Sequence, residues 1–385
     1  MQTTDTPIHH VFVFLEIFAQ EGGIQSYVKD ILEGYQSLTE QPDCPYQADI
    51  FLLRDSADSK NPFSGGNLTF HYFLSGTPWL GRLRLATALL KTLLTQRPDH
   101  VFCGHINLAP LIHALCKPLG IPYTVLTYGK EVWDALPEPK RYALQAAQEI
   151  WTISRYSRDR LCAANKIPIK QVQFLPCIVD ETLFTPGEKP PTLLEKYHLT
   201  GCTVLMTVAR LWSGDPYKGV DVTIRALPAI LKEFPEVKYL VIGRGDDQPR
   251  LAQLAQDLGV AERVIFAGFV RTEDLSAHYR VADIYVMPSQ EGFGIVYLEA
   301  MVSGIPVISG DDDGSADPLQ DGRVGWRVPH RDVDCVAEAC LEVLRNLNNP
   351  AELRCNGSWL REQTIAKFSK GALTQQLKVL IEQQL

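Results

Sequence analysis

The sequence predicts an α/β protein built from two domains that each contain a parallel β-sheet. Short apolar runs rich in β-forming residues alternate with helical segments along nearly the whole chain, which is the pattern of parallel sheets. The length of 385 residues is more than one ordinary core contains. Between residues 176 and 191, the sequence PCIVDETLFTPGEKPP is too rich in proline for regular structure and predicts a linker.

Two series of strands flank this linker. The first is predicted at residues 11–17, 48–53, 68–73, 100–103, 123–127, 149–152 and 173–174, with a helix at about 24–35 after the first strand. The second is predicted at residues 203–208, 239–242, 263–266, 284–287, 306–308 and 325–328. Ligands bind beyond the carboxyl ends of parallel strands, so we expect the chemistry in a central cleft between the two domains.

Composition disfavours several classes of protein. A net charge of -8 and a pI near 5.6 disfavour a nucleic-acid-binding protein. The nine cysteines include no C-x-x-C pair and favour a reducing compartment. The chain contains no uninterrupted apolar run of about 18 residues, and its N-terminus lacks the form of a secretory signal. We therefore expect a cytoplasmic protein, with peripheral attachment to the inner face of a membrane left open.

A glycine-rich turn precedes a helix in the second series. The sequence Gly292-Phe293-Gly294 follows the strand at 284–287 and opens a helical run. The N–H groups at a helix start, here those of Gly294, Ile295 and Val296, suit a phosphate oxygen.

Two glutamates flank this helix start. Glu291 precedes the turn and Glu299 lies about two helical turns further along, so each carboxylate could accept hydrogen bonds from sugar hydroxyls. A random pair of this kind more often complements the helix dipole and faces solvent. The phrase SQEGFGIVYLEAMVSGIPVISG, however, resembles the E-x7-E signature of glycosyltransferase family 4 (glycosyl transferases group 1), retaining enzymes with the GT-B architecture. The resemblance implies that Glu291 contacts the donor sugar and Glu299 the ribose.

A second match lies at the start of the second domain. Arg210 follows the strand at 203–208, and Lys218 comes soon after it in the sequence Tyr217-Lys218-Gly219. This arrangement resembles the Arg and Lys-Gly pair of the family, in which the two cations neutralise the diphosphate of the donor. Alone, an Arg and a Lys in a loop are more often solvated surface residues.

Weaker matches support the same family. They are Ile242-Gly243-Arg244-Gly245, the segment 266–270 and the segment 321–325. The resemblance implies that Val270 holds the nucleotide base through its backbone. Gly23, in the sequence Glu21-Gly22-Gly23-Ile24, resembles the N-terminal Gly-Gly loop, although a lone Gly-Gly is commonly only a tight turn.

Polar residues after two strands of the first domain complete the expected site. His105 follows the strand at 100–103, and Tyr128, Lys130 and Glu131 follow the strand at 123–127. Many family members have a histidine where this chain has Tyr128, and that histidine contacts the donor sugar. Either His105 takes over this role, or Tyr128 supplies a hydroxyl, or His105 is a structural histidine.

A run of three aspartates, at 311–313, could suggest a metal site. We interpret it instead as a solvated turn beside glycines. The resemblance implies that no metal and no cofactor are needed, because the cations and the helix start serve the diphosphate.

The resemblance implies a GT-B fold of two Rossmann-like domains, with an acceptor domain at residues 1–186 and a donor domain at 187–363. A C-terminal helix at 364–385 is expected to cross back to the first domain. The expected activity is retaining, metal-independent hexosyl transfer to a saccharide or lipid-linked saccharide in polysaccharide biosynthesis.

The preferred donor is UDP-glucose, with GDP-mannose as an alternative. A GT-B nucleotide-sugar epimerase or hydrolase and a two-domain binding protein remain alternatives. The apolar run at 78–85 either touches a membrane surface or belongs to a buried amphipathic helix.

Overall fold

The computed structural model of the protein describes residues 7–20, 22–41, 45–214 and 218–384. The chain forms two compact units. The first consists of Met1–Cys177 together with Lys370–Leu385, and the second of Ile178–Ser369.

The first unit is built on a seven-stranded parallel sheet. Its strands are β1 (Ile8–Phe14), β2 (Tyr46–Leu52), β3 (Leu68–Tyr72), β4 (His100–Cys103), β5 (Tyr123–Thr127), β6 (Glu149–Thr152) and β7 (Val172–Phe174). Their order is β3-β2-β1-β4-β5-β6-β7. Its helices up to the linker are α1 (Gly23–Thr39), α2 (Pro78–Thr95), α3 (Ala109–Leu119), α4 (Lys130–Trp133), α5 (Glu138–Gln145) and α6 (Arg155–Asn165).

The second unit is built on a six-stranded parallel sheet. Its strands are β8 (Thr203–Val208), β9 (Val237–Ile242), β10 (Val264–Gly268), β11 (Ile284–Met287), β12 (Val307–Gly310) and β13 (Trp326–Val328). Their order is β10-β9-β8-β11-β12-β13. Its helices are α7 (Pro191–Lys196), α8 (Val220–Glu233), α9 (Gln248–Asp257), α10 (Thr272–Tyr279), α11 (Ile295–Val302), α12 (Val333–Asn346) and α13 (Gly357–Phe368).

The predicted α/β class with two parallel sheets is confirmed, and a strand occurs at each predicted position. The largest shift is at β1, which was expected at 11–17 and ends at Phe14. The buried Asp55 carboxylate explains this end, because it accepts the backbone N–H groups of Ile17, Phe18 and Ala19 at 2.6, 2.9 and 2.7 Å. Those N–H groups therefore bond to a side chain and not to a neighbouring strand.

The unit boundaries differ from the expected divisions after residues 186 and 363. Residues 178–186 belong to the second unit, where the Arg361 guanidinium donates to the carbonyls of Phe184 and Glu181 at 2.9 and 2.8 Å. The Val179 N–H also donates to the Phe368 carbonyl at 2.9 Å.

The expected C-terminal helix is two helices. The backbone is extended at Ser369, between α13 and α14 (Lys370–Glu382). Helix α13 packs on α11 in the second unit, whereas α14 packs on α1 in the first unit. The chain therefore returns to the first unit at residue 370. None of the helices in the described ranges is both long and apolar enough to cross a bilayer.

Candidate functional site

Arg210 and Glu291 follow two paired strands of the second sheet. Arg210 comes after β8 and Glu291 after β11, and these parallel strands lie side by side at the point where the strand order reverses. Loops that follow the strands on either side of such a switch point diverge and leave a crevice, which is where ligands bind in doubly wound sheets.

Two glycines after β9 hold the backbone that carries Arg210. A Cβ atom on Gly243 would lie 1.8 Å from the Ala209 carbonyl oxygen, and one on Gly245 would lie 1.7 Å from the Leu211 carbonyl oxygen. The Leu211 N–H also donates to the Arg244 carbonyl at 3.1 Å. The glycines of this motif therefore permit a close approach of two backbones on either side of Arg210.

Lys218 contacts the first predicted glutamate. Its Nζ lies 2.5 Å from Glu291 Oε1, and the two side chains are 21% and 15% exposed. Gly219, with φ of 73°, begins α8, and a Cβ there would lie 2.5 Å from the Pro288 carbonyl oxygen. Glycine is thus required both by the conformation and by the approach that brings Lys218 to the end of β11.

Arg210 and Lys218 line one crevice, together with the carboxylates Asp221 and Asp247. The Arg210 guanidinium carbon lies 5.2 Å from the centre of the Trp212 ring, a cation–π contact at the surface. The structure therefore brings both predicted phosphate ligands to the carboxyl edge of the second sheet.

The start of α11 has the geometry that the sequence predicted. Gly294 precedes the helix with φ of 94°, and a Cβ there would lie 2.4 Å from the Tyr297 ring. Ile295 and Val296 occupy the first turn, where backbone N–H groups have no acceptor within the helix. Gly292 is half-buried beside Glu291 in the preceding turn.

Phe293, which lies in the glycine-rich turn predicted to bind the substrate, is a core residue. Its side chain is 2% exposed, and its ring lies edge-on to the ring of Phe368 with 5.7 Å between centres. The expectation is corrected for the side chain, because an apolar ring between two glycines anchors the turn to α13. Only the Phe293 backbone faces the helix start.

Glu299 lies further along α11 in an environment that favours its neutral form. Burial raises the pKa of Glu299 to about 7, although a hydrogen bond from the Tyr279 hydroxyl, 2.6 Å from Oε2, partly opposes that rise. Tyr279 also donates to the Val296 carbonyl at 3.3 Å. Tyr279 was not predicted, and it fixes the orientation of this carboxyl group.

Val270 is half-buried in the loop after β10. The preceding Gly268 has φ of 74°, and its carbonyl accepts the Gly243 N–H at 2.9 Å. Phe269 is 60% exposed and lies under the Arg244 guanidinium, whose carbon is 4.8 Å from the ring centre. The Val270 backbone thus belongs to the same carboxyl edge as Arg210.

In the first unit, His105 follows β4 and is neutral. Its Nδ1 accepts the Asn107 N–H at 3.0 Å, so the ring proton resides on Nε2. Burial lowers the pKa of His105 to about 4, with smaller contributions from the positive charges of Lys140 and Arg54. His105 is therefore a hydrogen-bond donor through Nε2.

Tyr128 makes a hydrogen bond within the protein through its hydroxyl. The hydroxyl donates to the Gly104 carbonyl at 2.5 Å, and the residue is 9% exposed. The ring lies 6.4 Å from that of His105 and edge-on to that of Tyr27. This hydroxyl fixes the backbone beside His105, and its proton is not available to a sugar while that hydrogen bond is made, which disfavours Tyr128 as a donor to the sugar.

Glu131 and Lys130 belong to the short helix α4 after β5. The Glu131 carboxylate accepts the Tyr128 N–H at 2.5 Å, and N–H groups of Gly129 and Glu131 also donate to it. Burial nevertheless raises the pKa of Glu131. Glu131 therefore stabilises the helix start, whereas the Lys130 side chain is exposed.

Gly23 is the first residue of α1 and is exposed. A Cβ there would contact no atom within 4 Å, so packing does not require glycine at this position. Of the Gly-Gly loop, Glu21 lies outside the described residues, as does Tyr217 of the second match.

The aspartate run is only partly the solvated turn that was expected. Asp311 and Asp312 are exposed, whereas Asp313 is 3% exposed and its carboxylate accepts the Glu291 N–H at 2.7 Å. The interpretation was wrong for Asp313 because this side chain points into the Glu291 turn. Across the described ranges, no group of three or more His, Cys, Asp or Glu residues is arranged to hold a metal ion.

Comparison with known proteins connects these features to one family. The family profile described as glycosyl transferases group 1 matches residues 202–346, the part of the chain that contains Arg210, Lys218 and both glutamates. The GDP-mannose-dependent alpha-(1-6)-phosphatidylinositol monomannoside mannosyltransferase of Mycolicibacterium smegmatis is 30% identical, over 88% of this chain and 90% of that protein.

A second relative is similar along its length. The GDP-mannose-dependent monoacylated alpha-(1-6)-phosphatidylinositol monomannoside mannosyltransferase of Corynebacterium glutamicum is 28% identical, over 94% of each chain. Among solved structures, Anabaena HepE in complex with UDP superposes with a TM-score of 0.75 at 18% identity, over 98% of this chain and 100% of that one. The chain therefore belongs to the glycosyl transferases group 1 family and is a glycosyltransferase with the GT-B fold.

Proposed function

We propose that this protein transfers mannose from GDP-mannose to a lipid-linked inositol mannoside with retention of the anomeric configuration. The observation that carries the proposal is the full-length likeness to two mannosyltransferases whose names state this donor and a phosphatidylinositol mannoside acceptor. These names favour GDP-mannose, the alternative donor in the sequence analysis, over UDP-glucose. They also favour a glycolipid product over a polysaccharide.

Arg210, Lys218 and the first turn of α11 are the proposed diphosphate site. The reaction breaks the bond between the anomeric carbon and a diphosphate oxygen, so negative charge develops on the leaving group. Two cations that line one crevice would stabilise that charge, and N–H groups at a helix start would add to the effect. Lys218 pairs with Glu291, so a phosphate group at this site would compete with Glu291 for this lysine.

Three residues are proposed to bind the rest of the donor. Glu291 accepts hydrogen bonds from sugar hydroxyls, Glu299 accepts from the ribose, and the Val270 backbone contacts the base. Tyr279 supports the second assignment, because its hydroxyl bonds to Glu299 Oε2 and leaves Oε1 as an acceptor for a hydroxyl of the ribose. A raised pKa near 7 leaves Glu299 partly protonated at neutral pH, so the ribose would bind its deprotonated form best.

Retention is proposed to arise from attack on the same face as the leaving group. The leaving phosphate itself accepts the proton of the acceptor hydroxyl, so no protein nucleophile forms a bond to the sugar. The neutral His105 ring donates its Nε2 proton in a hydrogen bond to a sugar hydroxyl, a role that needs no change of protonation. The alpha linkage in the names of the relatives supports retention, because GDP-mannose itself carries an α-linked sugar.

A donor panel tests this proposal. The protein is incubated with GDP-mannose, UDP-glucose and other UDP- and GDP-sugars, with and without a phosphatidylinositol mannoside, and free nucleotide and lipid product are measured. We expect release of GDP and an α-linked mannosyl lipid only when GDP-mannose and the acceptor are both present. Transfer from UDP-glucose but not from GDP-mannose would contradict the donor assignment. Conversion of a nucleotide sugar into another nucleotide sugar in the absence of acceptor would indicate an epimerase.

Peripheral membrane contact through α2 is part of the proposal. One face of this helix is solvent-exposed, with Trp79 64%, Leu83 51% and Leu94 55% exposed. The helix also contains Arg82, Arg84 and Lys91 and no acidic residue, although the whole chain has a charge of -8. Exposed apolar side chains beside cations suit a surface of anionic lipid, where a lipid-linked acceptor resides.

Sedimentation with vesicles tests this contact. We expect the protein to bind phosphatidylglycerol vesicles, to bind phosphatidylcholine vesicles weakly, and to lose binding when Trp79 and Leu83 are both replaced by Ser. Ile169→Ser is the matched control, because Ile169 is a 60% exposed apolar residue of the same unit outside α2. Equal binding of the wild type and the Trp79/Leu83 variant would contradict an α2 contact.

A further inference from the structure

Asp313 is a buried acid that none of the roles assigned above uses. It follows β12 and precedes the 3-10 helix Gly314–Ala316. Its side chain is 3% exposed, whereas the neighbouring Asp311 and Asp312 are exposed. A carboxyl group is rarely buried unless specific hydrogen bonds compensate for the loss of water.

Both oxygens of Asp313 accept hydrogen bonds. Oδ2 accepts the Glu291 N–H at 2.7 Å, and Oδ1 accepts the Ser315 N–H at 2.8 Å and the Ser315 hydroxyl. This set of three donors suits a deprotonated carboxylate, which accepts at both oxygens and has no proton of its own to place. The hydrogen bond to Glu291 links residues that are 22 positions apart in the sequence.

The backbone next to Asp313 also bonds to the turn formed by Glu291 and Gly292. The Gly314 N–H donates to the Glu291 carbonyl at 2.8 Å. A Cβ on Gly314 would lie 2.0 Å from the Gly292 carbonyl oxygen, so the two backbones are in direct contact. The Glu291 residue is therefore held at its N–H by Asp313, at its carbonyl by Gly314 and at its carboxylate by Lys218.

We propose that Asp313 is a positioning residue that holds the Glu291–Gly292 turn in its donor-binding conformation. This inference depends on the proposed function, because Glu291 is the residue assigned to the sugar of the donor. Asp313 acts through the Glu291 backbone and does not touch the donor. The diphosphate ligands Arg210 and Lys218 lie on other segments, and the hydrogen bonds that Asp313 and Gly314 make to this turn are to Glu291 and not to the first turn of α11, so binding of a nucleotide without a sugar should depend less on Asp313.

The protonation state of Asp313 determines how strongly its carboxyl group accepts the Glu291 N–H. Burial raises the pKa of Asp313 to about 6, although the hydrogen bonds from Ser315 and Glu291 oppose the rise. The charged and titratable groups that face Asp313 are the Glu291 carboxylate, which is paired with Lys218, and the buried Tyr297 hydroxyl. Protonation below this pKa would remove an acceptor and loosen the turn.

Hydrogen exchange of the turn tests the inference without any ligand. Asp313→Asn keeps the shape, but its NH2 group would face one of the N–H donors, so at least one hydrogen bond is lost. We expect the amides of Glu291 and Gly292 to exchange about tenfold faster in this variant than in the wild type, because the Glu291 N–H loses its acceptor. Asp312→Asn, at the exposed neighbouring position, is the control and should exchange like the wild type. Unchanged exchange in Asp313→Asn would overturn the inference whatever the donor is.

Binding measurements then connect the turn to the donor. We expect Asp313→Asn to weaken GDP-mannose binding about tenfold and GDP binding less than about twofold. In the wild type, GDP-mannose affinity relative to GDP should fall as the pH is lowered through about 6, and this fall should be absent in Asp313→Asn. Equal losses for both ligands, or the same pH profile in both proteins, would contradict a positioning role. Failure of the wild type to bind GDP-mannose would contradict the proposed donor. The hydrogen-exchange measurement would then be the test of whether Asp313 positions the turn.

A second variant, Ser315→Ala, keeps the inference testable if Asp313→Asn does not fold. Ser315→Ala removes the hydroxyl that donates to Asp313 Oδ1 and leaves the Ser315 N–H in place. Loss of this donor should raise the pKa of Asp313 further, so the midpoint of the affinity profile should move to higher pH. An unmoved midpoint would count against Asp313 as the titrating group.

Discussion

The Lys218 ammonium and the Glu291 carboxylate form an ion pair with a distance of 2.5 Å between Nζ and Oε1. Both side chains are mostly buried, and Glu291 is also held through its backbone by Asp313. Lys218, which is proposed to bind the diphosphate, thus lies beside Glu291, which is proposed to bind the sugar. Because removal of one partner leaves the other partly buried charge without its counterion, each residue should be sensitive to substitution.

Lys218→Ala should impair transfer severely without unfolding the protein. Loss of one preorganised contact to a developing charge typically costs about 3–4 kcal/mol, so we expect kcat/KM for the donor to fall about 100- to 1000-fold. Lys238→Ala is the control, because Lys238 lies at the amino end of β9, away from the carboxyl edge of the sheet, and donates to the His198 carbonyl at 2.6 Å. Initial rates and thermal denaturation measure both effects, and near-normal turnover in Lys218→Ala would remove this lysine from the mechanism.

Glu299→Gln should stabilise the protein above neutral pH. The pKa of Glu299 is about 7 in the folded state, above the value of about 4.3 for an unfolded chain. The folded state therefore binds more protons between these values, and the stability contributed by Glu299 is lost as the pH rises through about 7. We expect the variant to exceed the wild type by roughly 1–3 kcal/mol near pH 8 and to match it near pH 4 in urea denaturation. Glu362→Gln, on the surface of the same unit, should show neither effect.

His10 should produce the opposite pH dependence in the first unit. Burial, with smaller contributions from His100 and His9, lowers the pKa of His10 to about 3, and burial lowers that of His100 to about 3. Each ring stays neutral when folded but gains a proton on unfolding below about pH 6.5, so stability falls as the pH drops towards 3.

The His10→Phe variant measures the contribution of His10 to this loss of stability at low pH. We expect each of these two histidines to cost about 2 kcal/mol of stability between about pH 6.5 and 5, so the variant should lose about 2 kcal/mol less than the wild type over this range. Phenylalanine suits a site between Tyr35 and Phe102, and the Tyr35 hydroxyl retains the Gln47 carbonyl as an acceptor at 3.3 Å. His198→Gln, at an exposed position, should lose as much as the wild type. Identical pH profiles for His10→Phe and the wild type would contradict the assignment.

Leu377→Ala should destabilise the first unit. Leu377 is fully buried on α14, which packs against α1. Truncation of a buried leucine typically costs about 2–5 kcal/mol, so urea denaturation should report a loss of that size. Val379→Ala on the same helix is the control, because Val379 is 51% exposed and its truncation should cost little. Equal effects of the two substitutions would mean that α14 is not part of this core.

The strands could be predicted because parallel strands buried on both faces read as short continuous apolar runs. Residues 100–103, 123–127 and 203–208 form strands at the predicted positions. The end of β1 could not be predicted in this way, because the buried Asp55 carboxylate takes over the N–H groups that the apolar run would have given to the sheet. The break at Ser369 was also missed, since it depends on two helices packing in different units.

The site residues also divide into those that a local sequence motif indicates and those that depend on contacts between distant segments. Arg210, Lys218 and Glu291 could be proposed from the sequence because their motifs are local, and the structure places Lys218 and Glu291 in direct contact. Their roles toward the donor stay predictions. The contact of Asp313 with Glu291 joins distant segments, so local pattern reading could only place Asp313 in a turn. A contact between the Tyr128 hydroxyl and the sugar was likewise left open as an alternative, because nothing in the sequence reveals that this hydroxyl donates to the Gly104 carbonyl.

Equilibrium binding of nucleotide sugars is the most direct test of the central claim that this glycosyltransferase uses GDP-mannose. Titration calorimetry would compare GDP-mannose with UDP-glucose on the wild-type protein, with Lys218→Ala as the control for the proposed diphosphate site. We predict that the wild type binds GDP-mannose at least about tenfold more tightly than UDP-glucose, a difference of about 1.4 kcal/mol, and that Lys218→Ala weakens both. Tighter binding of UDP-glucose, or no binding of either nucleotide sugar, would contradict the account.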